Sequence, residues 1–395
     1  MEPTAAFSGV LCKDCGRAYP PDRMPERCPD CGGLLETSYS IEPDTLTRSA
    51  LETDRFESMW RYDRLLPVRR SNAVSMREGN TPLVACPSLA DSLGVGAVYV
   101  KDESRNPTGS ITDRGVSVAT SVVNETGGET VSLADPGNGG QSAAAYAARA
   151  GLDARVYLPS RTGFDQKAMV NVHGADLTVV NGRYEDAMAA YRSARRDNGW
   201  SAIGSDSPFR VDGAKTVLFE IVEQLDWQVP DAVVHPTGAG TGLLGLFKGG
   251  SELEELGFVN SLPPLYAAQP SGCQPIVEAF ETGTDRHEAW DTPDTICGEI
   301  EVPDPPGSHY ILNALRTSGG GAVAATDEEI LDAGIDVAQQ TGLEFGASAA
   351  AAAGGAFTLA DRGTFYSGDT VVLINTGSAN KEADVLRNAL RRKGI

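Results

Sequence analysis

Short apolar runs alternate with longer helical runs through most of this chain, and that alternation limits its fold more than any other feature. Strand candidates are Val98–Lys101, Thr130–Leu133, Arg155–Leu158, Leu177–Val180, Ala232–His235, Leu265–Ala268, Ala322–Ala325 and Val371–Ile374. Helix candidates are Asp113–Asn124, Ser142–Ala150, Asp165–His173, Tyr184–Asp197, Ala214–Leu225, Leu243–Leu256, Asp327–Gln340, Ala347–Ala360 and Ala379–Arg391. Strand followed by helix, repeated, implies an α/β fold with a largely parallel sheet covered by helices on both faces. Ligands of open α/β sheets lie beyond the carboxyl ends of the strands, and the glycine-rich segments fall at such ends. At 395 residues the chain exceeds one typical core, so two or three domains are expected.

Two strand-to-helix joints stand out. Val98–Val100 runs into KDESRNPTGSITDRG (Lys101–Gly115), where Asn106, Pro107 and Gly109 mark a turn. A helix is expected to open at Ser110, with Asp113 in its first turn, where a carboxylate suits the positive end of the helix dipole. Such a joint offers backbone N–H groups to an anion. The second joint is HPTGAGTGLLGLFKG (His235–Gly249), with Gly238, Gly240 and Gly242 between strand and helix. Its loop can aim several N–H groups at a phosphate; the plainer reading is a tight crossover turn.

Near the N-terminus, Cys12 and Cys15 form one CxxC pair and Cys28 and Cys31 another, with twelve residues between the pairs. Four sulfurs on two knuckles suit tetrahedral zinc in a closed, structural site; two disulfides are the alternative. Residues 1–38 are thus read as a ribbon, 39–75 as a connecting arm and 76–395 as the main region, with a smaller domain at about 108–206. Net charge is −21, from 54 acidic and 33 basic residues. Nucleic-acid and membrane partners are disfavoured by that charge. No stretch of about 18 apolar residues occurs, so no membrane span is expected, and a cytoplasmic location follows. Only seven basic residues are lysine. Few lysines among many carboxylates point to a high-salt surface, as in halophilic archaea; an ordinary acidic enzyme is the alternative.

The segment 101–115 closely resembles the cofactor segment of fold-type II pyridoxal phosphate (PLP) enzymes, threonine synthases in particular. There it reads roughly NPTGSFKDRG, and its lysine forms the Schiff base. MREGNTPLV (Met76–Val84), DSPFRVDGAKTVLFEIVEQLD (Asp206–Asp226), QPSGCQPIVEAF (Gln269–Phe280) and VVLINTGSANK (Val371–Lys381) also resemble that family, as does the N-terminal ribbon. The resemblance implies two open, mostly parallel sheets behind a zinc ribbon. It implies a PLP phosphate held by Gly238, Ala239, Gly240, Thr241 and Gly242, a ring oxygen met by Asn138, and a pyridine nitrogen met by Thr376 or Ser378. For Ser378, capping of a helix is the competing reading.

The chain departs from that pattern around one pocket. Thr112 stands at the lysine position and Ile111 at the preceding aromatic. In ADPGNGGQS (Ala134–Ser142), Asp135 and Pro136 replace the hydroxyls that, in the family, take the substrate carboxylate. Like charges about 4 Å apart at an effective dielectric near 20 repel by roughly 4 kcal/mol; alternatively Asp135 caps the helix start. Phe345–Gly346 replaces a Glu-Pro pair. A threonine can neither hold PLP as an imine nor shuttle protons as an amine. The expectation is a threonine synthase-like protein that has lost Schiff-base catalysis but keeps a phosphate pocket, as a sensor or a partner of an active paralogue. The alternative is a working lyase or synthase, turning O-phosphohomoserine into threonine and phosphate, with PLP bound non-covalently or through Lys101. Partners would be a small phosphorylated or amino-acid ligand and a second subunit, identical or an active paralogue.

Overall fold

A computed structural model describes residues 1–40 and 46–392; Lys393 and positions 41–45 of the expected arm lie outside the described residues. Three strands at the start, β1 (Phe7–Cys12), β2 (Ala18–Tyr19) and β3 (Leu35–Tyr39), form a small antiparallel sheet in the order β2-β1-β3. The eight expected strands all occur, within two residues of their expected ends, in two further sheets. One holds β4 (Leu83–Ala85), β5 (Ala97–Asp102), β10 (Ala232–Pro236), β11 (Leu265–Pro270), β12 (Gly321–Ala325) and β13 (Thr370–Asn375), in the order β12-β11-β10-β13-β5-β4. The other holds β6 (Thr130–Ala134), β7 (Asp153–Pro159), β8 (Asp176–Val180) and β9 (Ser201–Ala202), in the order β8-β7-β6-β9. Every pairing in these two sheets is parallel except β4 with β5. The four-stranded sheet falls inside residues 108–206.

Alternating residues place apolar side chains on both faces of the larger sheet. Val98, Val100, Val234, Val371 and Leu373 pack on one side against the alanine-rich helix Ala351–Asp361. Val233, Ala267, Val372 and Ile374 pack on the other, against the helices Pro208–Gln224 and Thr241–Glu255. Burial on both faces is what a parallel sheet requires.

Several helices differ from expectation at their starts. The helix expected from Ala214 begins at Pro208, because proline suits the first helical position. The helix expected from Ser142 begins at Asn138. The one expected from Ala347 begins at Ala351, and Ala379–Arg391 divides into a 3-10 turn, Ala379–Glu382, and a helix, Ala383–Arg392. Among the described residues no helix is long and apolar enough to cross a membrane.

The small sheet is fastened to the larger domain by buried charges. Lys215 Nζ lies 2.7 Å from Asp212 and 2.9 Å from Glu252. Thr37 Oγ1 donates to Asp212 (2.7 Å), Tyr39 donates to the same carboxylate, and Lys248 Nζ donates to the Thr37 carbonyl (2.6 Å). Asp212 and Lys215 lie on the helix Pro208–Gln224, Lys248 and Glu252 on Thr241–Glu255.

Candidate functional site

In the larger sheet β10, β13 and β5 are neighbours, so the loops leaving their carboxyl ends converge. These loops are Thr237–Gly240, Thr376–Ser378 and the turn after Asp102. Ser110 bridges to Gly377, and Ile111 N donates to Thr376 O (2.9 Å). The converging loops wall a cleft of about 140 Å³.

The turn before the helix Thr112–Glu125 is held by side chains on both sides of position 112. Asp113 accepts from Thr108 N (2.7 Å), Thr108 Oγ1 (2.6 Å) and Ser142 Oγ (2.6 Å), and burial pushes its carboxyl up to about 6. Arg114, fully buried, donates to Glu103 (2.6 and 2.8 Å) and Glu220 (2.7 and 2.8 Å). Thr112 itself lines the cleft, and its hydroxyl sits 3.2 Å from Ser110 Oγ.

The glycine loop forms the opposite wall. Gly240 has φ +88°, a left-handed conformation that favours glycine, and it caps the start of the helix Thr241–Glu255. A β-carbon on Gly242 would fall 2.2 Å from His235 Nε2, and one on Gly240 would fall 2.2 Å from Ile311 Cδ1. The first N–H groups of a helix have no intrahelical partner, so the loop has the form of an anion cradle. Two buried side chains lining the cleft carry unpartnered nitrogens, Arg210 Nε and His235 Nε2. Burial holds the His235 imidazole down to about 4, and Arg210, whose charge acts on Asp135, is the fixed cation lining the cleft.

At the third wall Asp135 does what a helix cap does: its Oδ1 accepts from Gly137 N and Gly139 N, both at 2.8 Å. Glu299 completes the helix start, with Oε2 accepting from Asn138 N (2.9 Å) and Oε1 accepting from Gln166 Nε2 (2.5 Å). Gln166 also donates to Asn138 Oδ1 (3.2 Å). Burial, with Asp135 and Glu382 nearby, pushes Glu299 up to about 8.

The structure brings Thr112, Asn138, Gly238, Ala239, Gly240, Thr241, Gly242 and Thr376 to one cleft. Ser378 is not among its lining residues: its hydroxyl accepts from Asn380 N (3.3 Å) and caps the 3-10 turn that follows. Lys101 does not reach the cleft either. Its Nζ is fully buried and bonded to Glu220 (2.7 Å), Thr81 O (2.7 Å) and Gln224 (3.0 Å). This overturns the idea that Lys101 stands in for the missing lysine. Lys381 bonds Thr108 O (2.8 Å) and Gln141 (2.6 Å) outside the lining. At the Phe345–Gly346 departure, Phe345 is core, and Glu382 Oε2 occupies the space a β-carbon on Gly346 would enter. Arg210 and Glu299 are cleft residues that the sequence reading did not single out. Arg210 lies inside a segment already matched to the family, whereas Glu299 sits in no motif.

A phosphate ester fits this cleft, with a glycine cradle, a helix N-terminus and an arginine. The aldehyde of PLP finds no lysine among the lining residues. Away from the cleft, the ligand atoms of Cys12, Cys15, Cys28 and Cys31 all lie within 4.8 Å of one another. Sulfurs on a tetrahedral zinc would be about 3.8 Å apart for Zn–S near 2.3 Å, so the four suit one ion.

The model of a family described as pyridoxal-phosphate dependent enzymes matches residues 74–377. The fold is shared with solved structures of ammonia lyases. Escherichia coli diaminopropionate ammonia lyase superposes with a TM-score of 0.70 at 17% identity, over 88% of this chain and 93% of that one. A fungal L-serine ammonia-lyase from Rhizomucor miehei gives 0.69 at 22% identity, over 80% and 98%. The chain belongs to the pyridoxal-phosphate dependent enzyme family. Within it the kinship is with threonine synthases. The threonine synthase of Methanosarcina acetivorans is 36% identical over 374 residues, covering 94% of this chain and 92% of the relative. That of Methanocaldococcus jannaschii is 37% identical over 377 residues, covering 94% and 93%.

Proposed function

We propose that this protein is a threonine synthase relative that holds a phosphate-bearing small molecule in its cleft without forming an imine, and that it has lost PLP catalysis. The observation that carries the reading is Thr112 at the helix start facing the glycine cradle, with no lysine lining the space between them. Loss of an amine that both links the cofactor and moves protons removes covalent catalysis, and the proton transfer alone accounts for about 10²–10⁴-fold in rate. The Cys₄ cluster is assigned to one structural zinc, with metal analysis expected to return one ion per chain. The cleft reading is tested by adding PLP, reducing with borohydride and mapping modified peptides by mass. No lysine in the described cleft region should be labelled, and PLP should leave on dialysis. Stoichiometric labelling of one lysine, or formation of threonine from O-phosphohomoserine, would overturn the reading.

A further inference from the structure

The wall of the cleft facing the cradle is filled with the chain's own carboxylates in a way that selects the ligand. Three N–H groups at the start of the helix Asn138–Ala150 would be the natural grip for an incoming carboxylate. All three are taken internally: Gly137 N and Gly139 N by Asp135, and Asn138 N by Glu299. The space is closed as well, since a β-carbon on Gly137 would fall 2.3 Å from Glu299 Oε1. A ligand with a carboxylate at this end finds these N–H groups taken and meets two acidic side chains. A ligand with an ammonium meets two acceptors held in place by backbone bonds. Glu299, held up at about 8 by burial and by the neighbouring Asp135 and Glu382, is a carboxyl whose ionisation a nearby cation favours.

The cleft also holds two nitrogen donors. Arg210 and His235 are each only 5% exposed, line the cleft and carry unpartnered nitrogens, Nε and Nε2. The Arg210 charge acts on Asp135, and Ile111, Pro136, Ile300 and Val302 add apolar lining.

We infer that the cleft takes a phosphate monoester carrying an ammonium group and no carboxylate, with the phosphate on the Gly238–Gly242 loop and the ammonium against Asp135 and Glu299. This rests on the phosphate-binding reading above and goes beyond it by naming the ligand's other end. Pyridoxamine phosphate has that chemistry. It needs no lysine, because its nitrogen is already in place of the aldehyde.

The test is calorimetric titration of the full chain at fixed salt with three probes: inorganic phosphate, pyridoxine phosphate and pyridoxamine phosphate. The last two share ring and phosphate and differ in a hydroxyl against an ammonium, so their ratio isolates the acidic wall. Pyridoxamine phosphate should bind at least tenfold more tightly. That advantage should fall to within threefold in Asp135→Asn and Glu299→Gln, both of which keep an oxygen for the backbone N–H groups. Circular dichroism checks that each variant is folded, and either variant suffices if the other is not. Equal binding of the two esters, or an advantage that survives in the variants, overturns the inference while leaving phosphate binding intact. Binding of none of the three overturns the phosphate reading as well.

Discussion

At position 112 a side chain faces the cleft while its neighbours hold the backbone. Asp113 ties the preceding turn and Arg114 ties the helix to Glu103 and Glu220, so the side chain of residue 112 adds only a hydroxyl contact with Ser110 to the local structure. Thr112→Lys is therefore expected to fold, to form a reducible imine with PLP and to be labelled at residue 112, where the parent chain is not. Absorbance near the imine band followed by peptide mass mapping reads the outcome. Glu299 yields a pH prediction. Its folded value, about 8, lies above the ordinary 4.5, so the folded state holds the extra proton between those limits. Stability is then lost as pH rises through that window. Glu299→Gln should leave urea stability near pH 5 unchanged and raise it near pH 8 by about 1–3 kcal/mol. A parallel loss for parent and variant would refute the assignment.

Helices and loops carry the site's shape, and their sequence signals are uneven. Eight strands were legible because each is a short β-rich run bounded by turn residues, whereas β1 to β4 and β9 were missed; the glycine loop was legible because its spacing stands out between a strand and a helix. The helices Pro87–Leu93, Pro275–Glu281 and Ser308–Thr317 were missed. They are only seven to ten residues long, too short for a clear 3.6-residue period. Glu299 was illegible for a different reason: it meets Asn138 across 161 residues of chain, through packing that no local pattern encodes. In the cradle, Gly240→Ala should cost about 1–3 kcal/mol through left-handed strain and the clash with Ile311. It should also weaken phosphate ester binding at least tenfold by calorimetry. Behind the cradle, Asp212→Ala leaves Lys215 without one of its two carboxylates and Thr37 without its acceptor. Urea unfolding should show a loss of about 3–5 kcal/mol, the range for breaking a buried ion pair.

For the whole molecule, the charge of −21 is the dominant surface term. Carboxylate repulsion acts over about 10 Å at 0.1 M salt and about 3 Å at 1 M. Raising potassium chloride from 0.1 to 2 M should lift the melting temperature by several degrees in calorimetry; a flat response would argue against a surface built for brine. Largely parallel pairing was readable from alternation and the division into two sheets from the family resemblance, but the docking of the small sheet was not, because Asp212, Lys215, Lys248 and Glu252 look in sequence like ordinary exposed charges on helices.

The Arg114 cluster reaches beyond chemistry into descent. Glu103, Glu220 and Lys101 hold the helix start whatever residue precedes Asp113. Two of the four threonine codons lie a single base from a lysine codon. A lineage carrying this scaffold could therefore cross between threonine and lysine at position 112 without passing through an unfolded intermediate, so in genetic terms the position is open to exchange in either direction.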